Sequence, residues 1–215
     1  MKERALEGLA QLQRLLQSVH GVSVDPICEF LVDRPPYPTR EALLVSERGE
    51  ELRLGLFLDE SALAQLGRGS SEPWTHERLS GFCAAAEGVS HFLYLAHRAG
   101  QGGQVSQLEL EAQGEVDKYL AVVLQLWATG RRSASTALRH RLFDRSVLRA
   151  GLAAAERDRY KLASALGAAC ARALEERFVL AGRLDALLRE VRRLFRLSGG
   201  EKFSALAQGA VAWAA

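Results

Sequence analysis

Three cysteines, one methionine and five prolines are spread over 215 residues. No apolar run reaches the ~20 residues that a helix needs to cross a bilayer. Cys28, Cys83 and Cys170 are odd in number and far apart, which excludes a disulfide framework and fits a reducing compartment. The opening residues, Met1-Lys2-Glu3-Arg4-Ala5-Leu6-Glu7, carry acids where a signal peptide needs an apolar stretch. A cytoplasmic protein without a membrane span is the expectation.

Catalytic signatures are missing as well. There is no Gly-x-Ser-x-Gly nucleophile elbow, no His-Glu-x-x-His zinc helix, and no Gly-x-x-x-x-Gly-Lys phosphate loop. Helix-turn-helix and zinc-finger patterns are absent, and so is any internal repeat.

What remains is a globular composition, 48% hydrophobic and 25% charged, rich in the strong helix formers Ala, Leu, Arg and Glu. The length suffices to bury a core without disulfide or metal staples. The net charge of +2 conceals a split. Residues 1–130 hold 11 basic against 18 acidic side chains, a net −7, whereas residues 131–215 hold 17 against 8, a net +9. Such asymmetry points outward, to a partner.

Apolar residues recur at helical spacing over 3–19 (Leu6, Leu9, Leu12, Leu16, Val19), with Gly21 as the stop. Asp25-Pro26 opens a short helix or extended piece through Val32. Arg34-Pro35-Pro36-Tyr37-Pro38 is a stiff connector, because proline lacks a donor and restricts its predecessor. Residues 41–45 and 52–58 flank a polar turn with Gly49, and Leu52, Leu54, Leu56 and Leu58 alternate with other residues. That period of two predicts a β-hairpin, which must pack on helices to persist.

Everything from Asp59 onward reads helical. Asp59 or Ser61 caps a short helix to Leu66, Thr75 caps a long one to Ala99, and Ser106 caps the next through Thr129. Further helices are expected from Ser133 or Ser135 to Leu148, over 152–180 and 183–197, and after Gly200. The fold class expected is α+β, mainly α: a helical bundle with a small N-terminal β-hairpin. The domains expected are an N-terminal helix plus hairpin over 1–74 and the bundle over 75–215, with the helical hairpin 75–99/106–129 as its spine.

Two groups of side chains invite chemistry. Glu87 and His91 share a helix face at four-residue spacing, and Glu111 and Glu115 do the same on the next helix, followed by Lys118. Converging inside a bundle, these four would supply three carboxylates and an imidazole for a divalent metal, zinc or a di-metal pair. Glu109 and Asp117 are expected to point elsewhere. Against the metal reading stands the spacing, since di-metal bundles use Glu-x-x-His pairs. In the C-terminal part Arg131, Arg132, Arg139, Arg141, Arg145 and Arg149 form one basic group. Arg189, Arg192, Arg193 and Arg196 form another, opposite Leu184, Leu187, Leu188, Val191, Leu194 and Phe195 on an amphipathic helix.

Other motifs resolve into local structure. Leu197-Ser198-Gly199-Gly200-Glu201-Lys202 spells the signature of ABC-type ATPases, but without a phosphate loop it reads as a Gly-Gly helix stop. Gly100-Gln101-Gly102-Gly103 follows a helix rather than a strand and is a turn. Cys83 and Cys170, among small apolar residues, read as core positions.

Three functions follow as expectations. The first is a non-enzymatic interaction or regulatory protein that holds an acidic protein partner on Arg189, Arg192, Arg193 and Arg196. The second is a metal-dependent enzyme built on Glu87, His91, Glu111 and Glu115, and the third a nucleic-acid-binding accessory protein. No oligomeric state is implied.

Overall fold

The computed structural model describes residues 2–49, 51–68, 72–144 and 151–211. The chain is mainly helical with one N-terminal hairpin, as the periodicity predicts. It divides into two compact units, residues 1–104 and 105–215.

The first unit begins with α1 (Lys2–His20), whose Leu9, Leu12, Leu16 and Val19 are buried. Gly21 ends it with φ near 65°, and the N–H groups of Gly21 and Val22 both donate to the Gln17 carbonyl. This is the left-handed turn that glycine makes without strain. Gln13 then ties down the returning chain: its Nε2 donates to the Asp25 carbonyl and its Oε1 accepts from the Ile27 N–H. A single 3₁₀ turn follows at Ile27–Phe30.

Strands β1 (Glu41–Arg48) and β2 (Glu51–Leu58) pair antiparallel with Glu41 opposite Leu58. The alternation of Leu52 to Leu58 holds only in part. Leu56 and Leu58 are buried as predicted, but so is Phe57 on the opposite face. The cause is the connector: Leu31 bridges to Leu56, the Val32 N–H donates to the Leu56 carbonyl, and Arg34 lies over the Phe57 ring. Both faces at the hairpin's base are therefore covered, while residues 44–48 are exposed.

Helices α2 (Glu60–Leu66) and α3 (His76–Ala99) complete the unit. Asp59 and Thr75 cap them through the N–H groups of Ala62 and Arg78, as their side chains predict. α3 approaches its neighbours closely at Gly81 and Gly88. A methyl at Gly88 would sit 3.0 Å from Leu58 Cδ2 and 3.1 Å from Leu56 Cδ1, so the hairpin rests closely on this glycine and a larger residue would push the two leucines aside.

The second unit opens with α4 (Gln107–Ala128), whose Ser106 and Glu109 form a complete capping box. A 3₁₀ turn leads into α5 (Ser135–Phe143). The predicted continuation to Leu148, with Arg145 and Arg149, lies outside the described residues. So do residues 212–215 at the end of the apolar tail. α6 (Ala154–Leu174) runs into a π turn, Glu175–Val179, in which the Leu180 N–H donates to the Glu175 carbonyl. Helices α7 (Leu184–Arg196) and α8 (Gly199–Val211) follow. α4 packs on α5, α6 and α8, and α6 packs on α8. Gly167 of α6 permits that approach, since a Cβ there would fall 2.4 Å from Glu115 Cβ.

Candidate functional site

The sequence-derived metal ligands fall in different units, Glu87 and His91 on α3 and Glu111 and Glu115 on α4. In the first unit His91 is buried, with Nδ1 3.7 Å from Glu41 Oε2 at the foot of β1. Glu87, half-buried, lies one turn earlier on α3. In the second unit Glu115 Oε2 lies 2.8 Å from Lys118 Nζ, within α4, and Glu111 is half-buried. Among the described residues no three His, Cys, Asp or Glu side chains gather as a metal-holding group.

The carboxylates expected to point elsewhere are the buried ones. Glu109, Gln113 and Asp117 stand at four-residue intervals along α4, each no more than 5% exposed. They meet Lys202 of α8, itself fully buried. Lys202 Nζ donates to Gln113 Oε1 at 2.7 Å and to the Leu194 carbonyl at 3.3 Å, and Gln113 Nε2 donates to Asp117 Oδ1 at 2.9 Å. Glu109 Oε2 accepts from the Ser106 N–H and hydroxyl, and its Oε1 accepts from the Gly199 N–H at 2.9 Å. A carboxylate at that N–H also faces the positive end of the helix dipole.

This corrects the reading of the Gly199-Gly200 pair. α7 already ends at Arg196, and the glycines open α8 instead of stopping a helix. The backbone donor that could have met a phosphate is taken by Glu109. The repeat of polar residues at 109, 113 and 117 was the available signal, together with a lysine inside an apolar helix.

Burial pushes the Glu109 carboxyl up, but the hydrogen bonds from Ser106 and Gly199 and the charge of Lys202 outweigh it and hold the group below the usual glutamate range. A carboxyl lowered on folding contributes stability above its ordinary pKa of ~4.3 and gives it up as the pH falls through the folded value. Urea midpoints from pH 7 to pH 3 should therefore fall more steeply for the native chain than for Glu109→Gln. Parallel curves would exclude Glu109 from the acid transition.

A second buried polar group joins α5 to the π turn. Arg139 Nε donates to Glu175 Oε2 at 2.8 Å, with side chains 9% and 2% exposed. Arg139 was expected in the outward basic group; it faces the core instead, because Glu175 awaits it there. Tyr119 is also fully buried, and its pKa is pushed up by burial and then by the negative charge of Glu175. Cys170 is a core thiol as predicted, whereas Cys83 is only half-buried.

Arg189, Arg192, Arg193 and Arg196 do share one side of α7. At 3.6 residues per turn they cover an arc of about 100°, opposite the buried Leu187, Val191, Leu194 and Phe195. Arg189, Arg193 and Arg196 are exposed and Arg192 is half-exposed. Glu190 takes Arg193 in a bidentate pair at 2.9 and 2.8 Å, and Arg196 donates to the Arg192 carbonyl. The hydrogen bonds from Arg193, and then its charge, hold the Glu190 carboxyl below its usual range. Among the described residues no helix is long and apolar enough to cross a membrane.

No protein-family model, curated protein or solved structure matches the chain.

Proposed function

We propose that the protein is a non-enzymatic interaction module of the cytoplasm that holds an acidic protein partner on the arginine face of α7. The observation that carries this reading is the gathering of Arg189, Arg192, Arg193 and Arg196 on one solvent-facing arc. Like charges three and four residues apart weaken a helix by about 0.2–0.5 kcal/mol per pair. A face chosen for stability alone would alternate its signs. Glu190 relieves that repulsion at Arg193, and Asp185 is the acid that shares the arc.

The surrounding unit agrees in sign, with 18 basic and 12 acidic residues over 105–215. Guanidinium forks match carboxylates in a planar, bidentate way, and a face some two turns long suits an acidic helix or strand. Three cysteines that form no disulfide, one of them buried, suit a reducing compartment.

The test is fluorescence anisotropy with a labelled glutamate-rich peptide, against the native chain and the Arg189→Glu, Arg192→Glu, Arg196→Glu triple variant. Binding should weaken at least tenfold, with the urea midpoint shifted little, because Arg189 and Arg196 are exposed and Arg192 half-exposed. An unchanged affinity would remove the proposal. Tighter, steeply salt-dependent binding to duplex DNA would replace it with a nucleic-acid role.

A further inference from the structure

We propose that the second unit carries a separate binding site for a small monocarboxylate with a short apolar body, in the cleft between α6, the π turn, α7 and α8. The cleft encloses about 410 Å³, a volume typical of small-molecule sites. It is lined by the buried Leu174 of α6 and Leu194 of α7, by the exposed Arg177, Arg193 and Gln208, and by the half-buried Glu190. A lining of buried apolar side chains with a few exposed polar groups is what orients an amphiphilic ligand.

Charge decides the head group. Glu190 and Arg193 neutralise each other through two hydrogen bonds, so the lining residues keep one net positive charge, on Arg177. A single negative charge balances it, and Gln208 adds a further amide donor to the lining. Cys170 also lines the wall; burial pushes its thiol up to about 12, so it stays neutral and adds no repulsion.

The π turn supplies the second argument. Such turns make up well under 1% of residues in globular proteins and gather at functional sites. Here the turn is Glu175–Val179, and it presents Arg177 to the cleft. Arg193 belongs both to the α7 face and to the cleft, whereas Arg189, Arg192 and Arg196 take no part in the lining, so variants at those three separate the two sites.

Titration calorimetry on the full chain with acetate, butyrate and hexanoate, at constant ionic strength, tests the proposal. Each added methylene should tighten binding by up to about fourfold as the apolar wall is covered. Arg177→Ala should weaken hexanoate at least tenfold, and Arg177→Lys should recover part of that loss. Arg189→Glu with Arg196→Glu should leave hexanoate binding intact. Because Arg177 is exposed, its variants test binding rather than folding, and their urea midpoints report this directly. Equal affinities across the acid series, an indifferent Arg177→Ala, or loss of binding in the α7 variant would each overturn it.

Discussion

Replacing Glu175 with alanine is expected to destabilise the second unit by about 3–5 kcal/mol, the usual cost of stranding one member of a buried ion pair. Arg139, its side chain 9% exposed, would remain with its carboxylate partner gone. Water cannot solvate it there without opening the packing between α5 and the π turn. That is a large share of the 5–15 kcal/mol that holds an ordinary domain together. The double replacement Arg139→Met with Glu175→Leu removes both charges and fills similar volume, so it should recover most of the loss. Urea denaturation of the three chains measures this. If Glu175→Ala costs under about 1 kcal/mol, the pair behaves like a solvated surface bridge. Exposed pairs such as Arg53–Glu51 on the hairpin, with side chains 67% and 71% exposed, are the contrast: screened by water, they hold little.

Lys202→Met is expected to cost about 2–4 kcal/mol, although the two side chains are alike in length and methionine is the more apolar. The loss comes from what stays behind. Gln113 Oε1 loses the Lys202 donor, the Leu194 carbonyl keeps only the Leu197 N–H, and the fully buried Asp117 loses the cation bonded to its Gln113 partner. A buried acceptor left without a partner carries its full desolvation penalty. Asp117→Asn added to Lys202→Met should restore part of the stability by removing the stranded charge. The double variant should then fall short of the sum of the singles by more than the ~0.5 kcal/mol scatter expected of independent sites. Additive losses would show that Lys202 and Asp117 do not act on each other. Amide exchange along α8 offers a second reading, since Lys202 and the Glu109–Gly199 hydrogen bond both fasten that helix to α4.

These two networks also show where sequence reasoning stopped. The caps were readable because each is a bond between residues three apart: Asp59 to Ala62, Thr75 to Arg78, Ser106 to Glu109. The hairpin was readable from its alternation, up to Phe57, whose burial depends on a connector crossing its outer face. The arginine face of α7 was readable because it lies on one helix. Arg139, in contrast, looked like its exposed neighbours, and Glu109 and Asp117 looked like ordinary solvated acids.

Chain-local information thus determined most of the helices, the caps at Asp59, Thr75 and Ser106, the N-terminal hairpin and the basic side of α7, for the interactions that fix them act within one or two turns. The tertiary structure alone decided which charges go inside. Lys202 meets Gln113 across 89 positions and Arg139 meets Glu175 across 36. A lysine, arginine or glutamate belongs on the surface unless a partner is held in place to receive it, and only the packed fold supplies that partner.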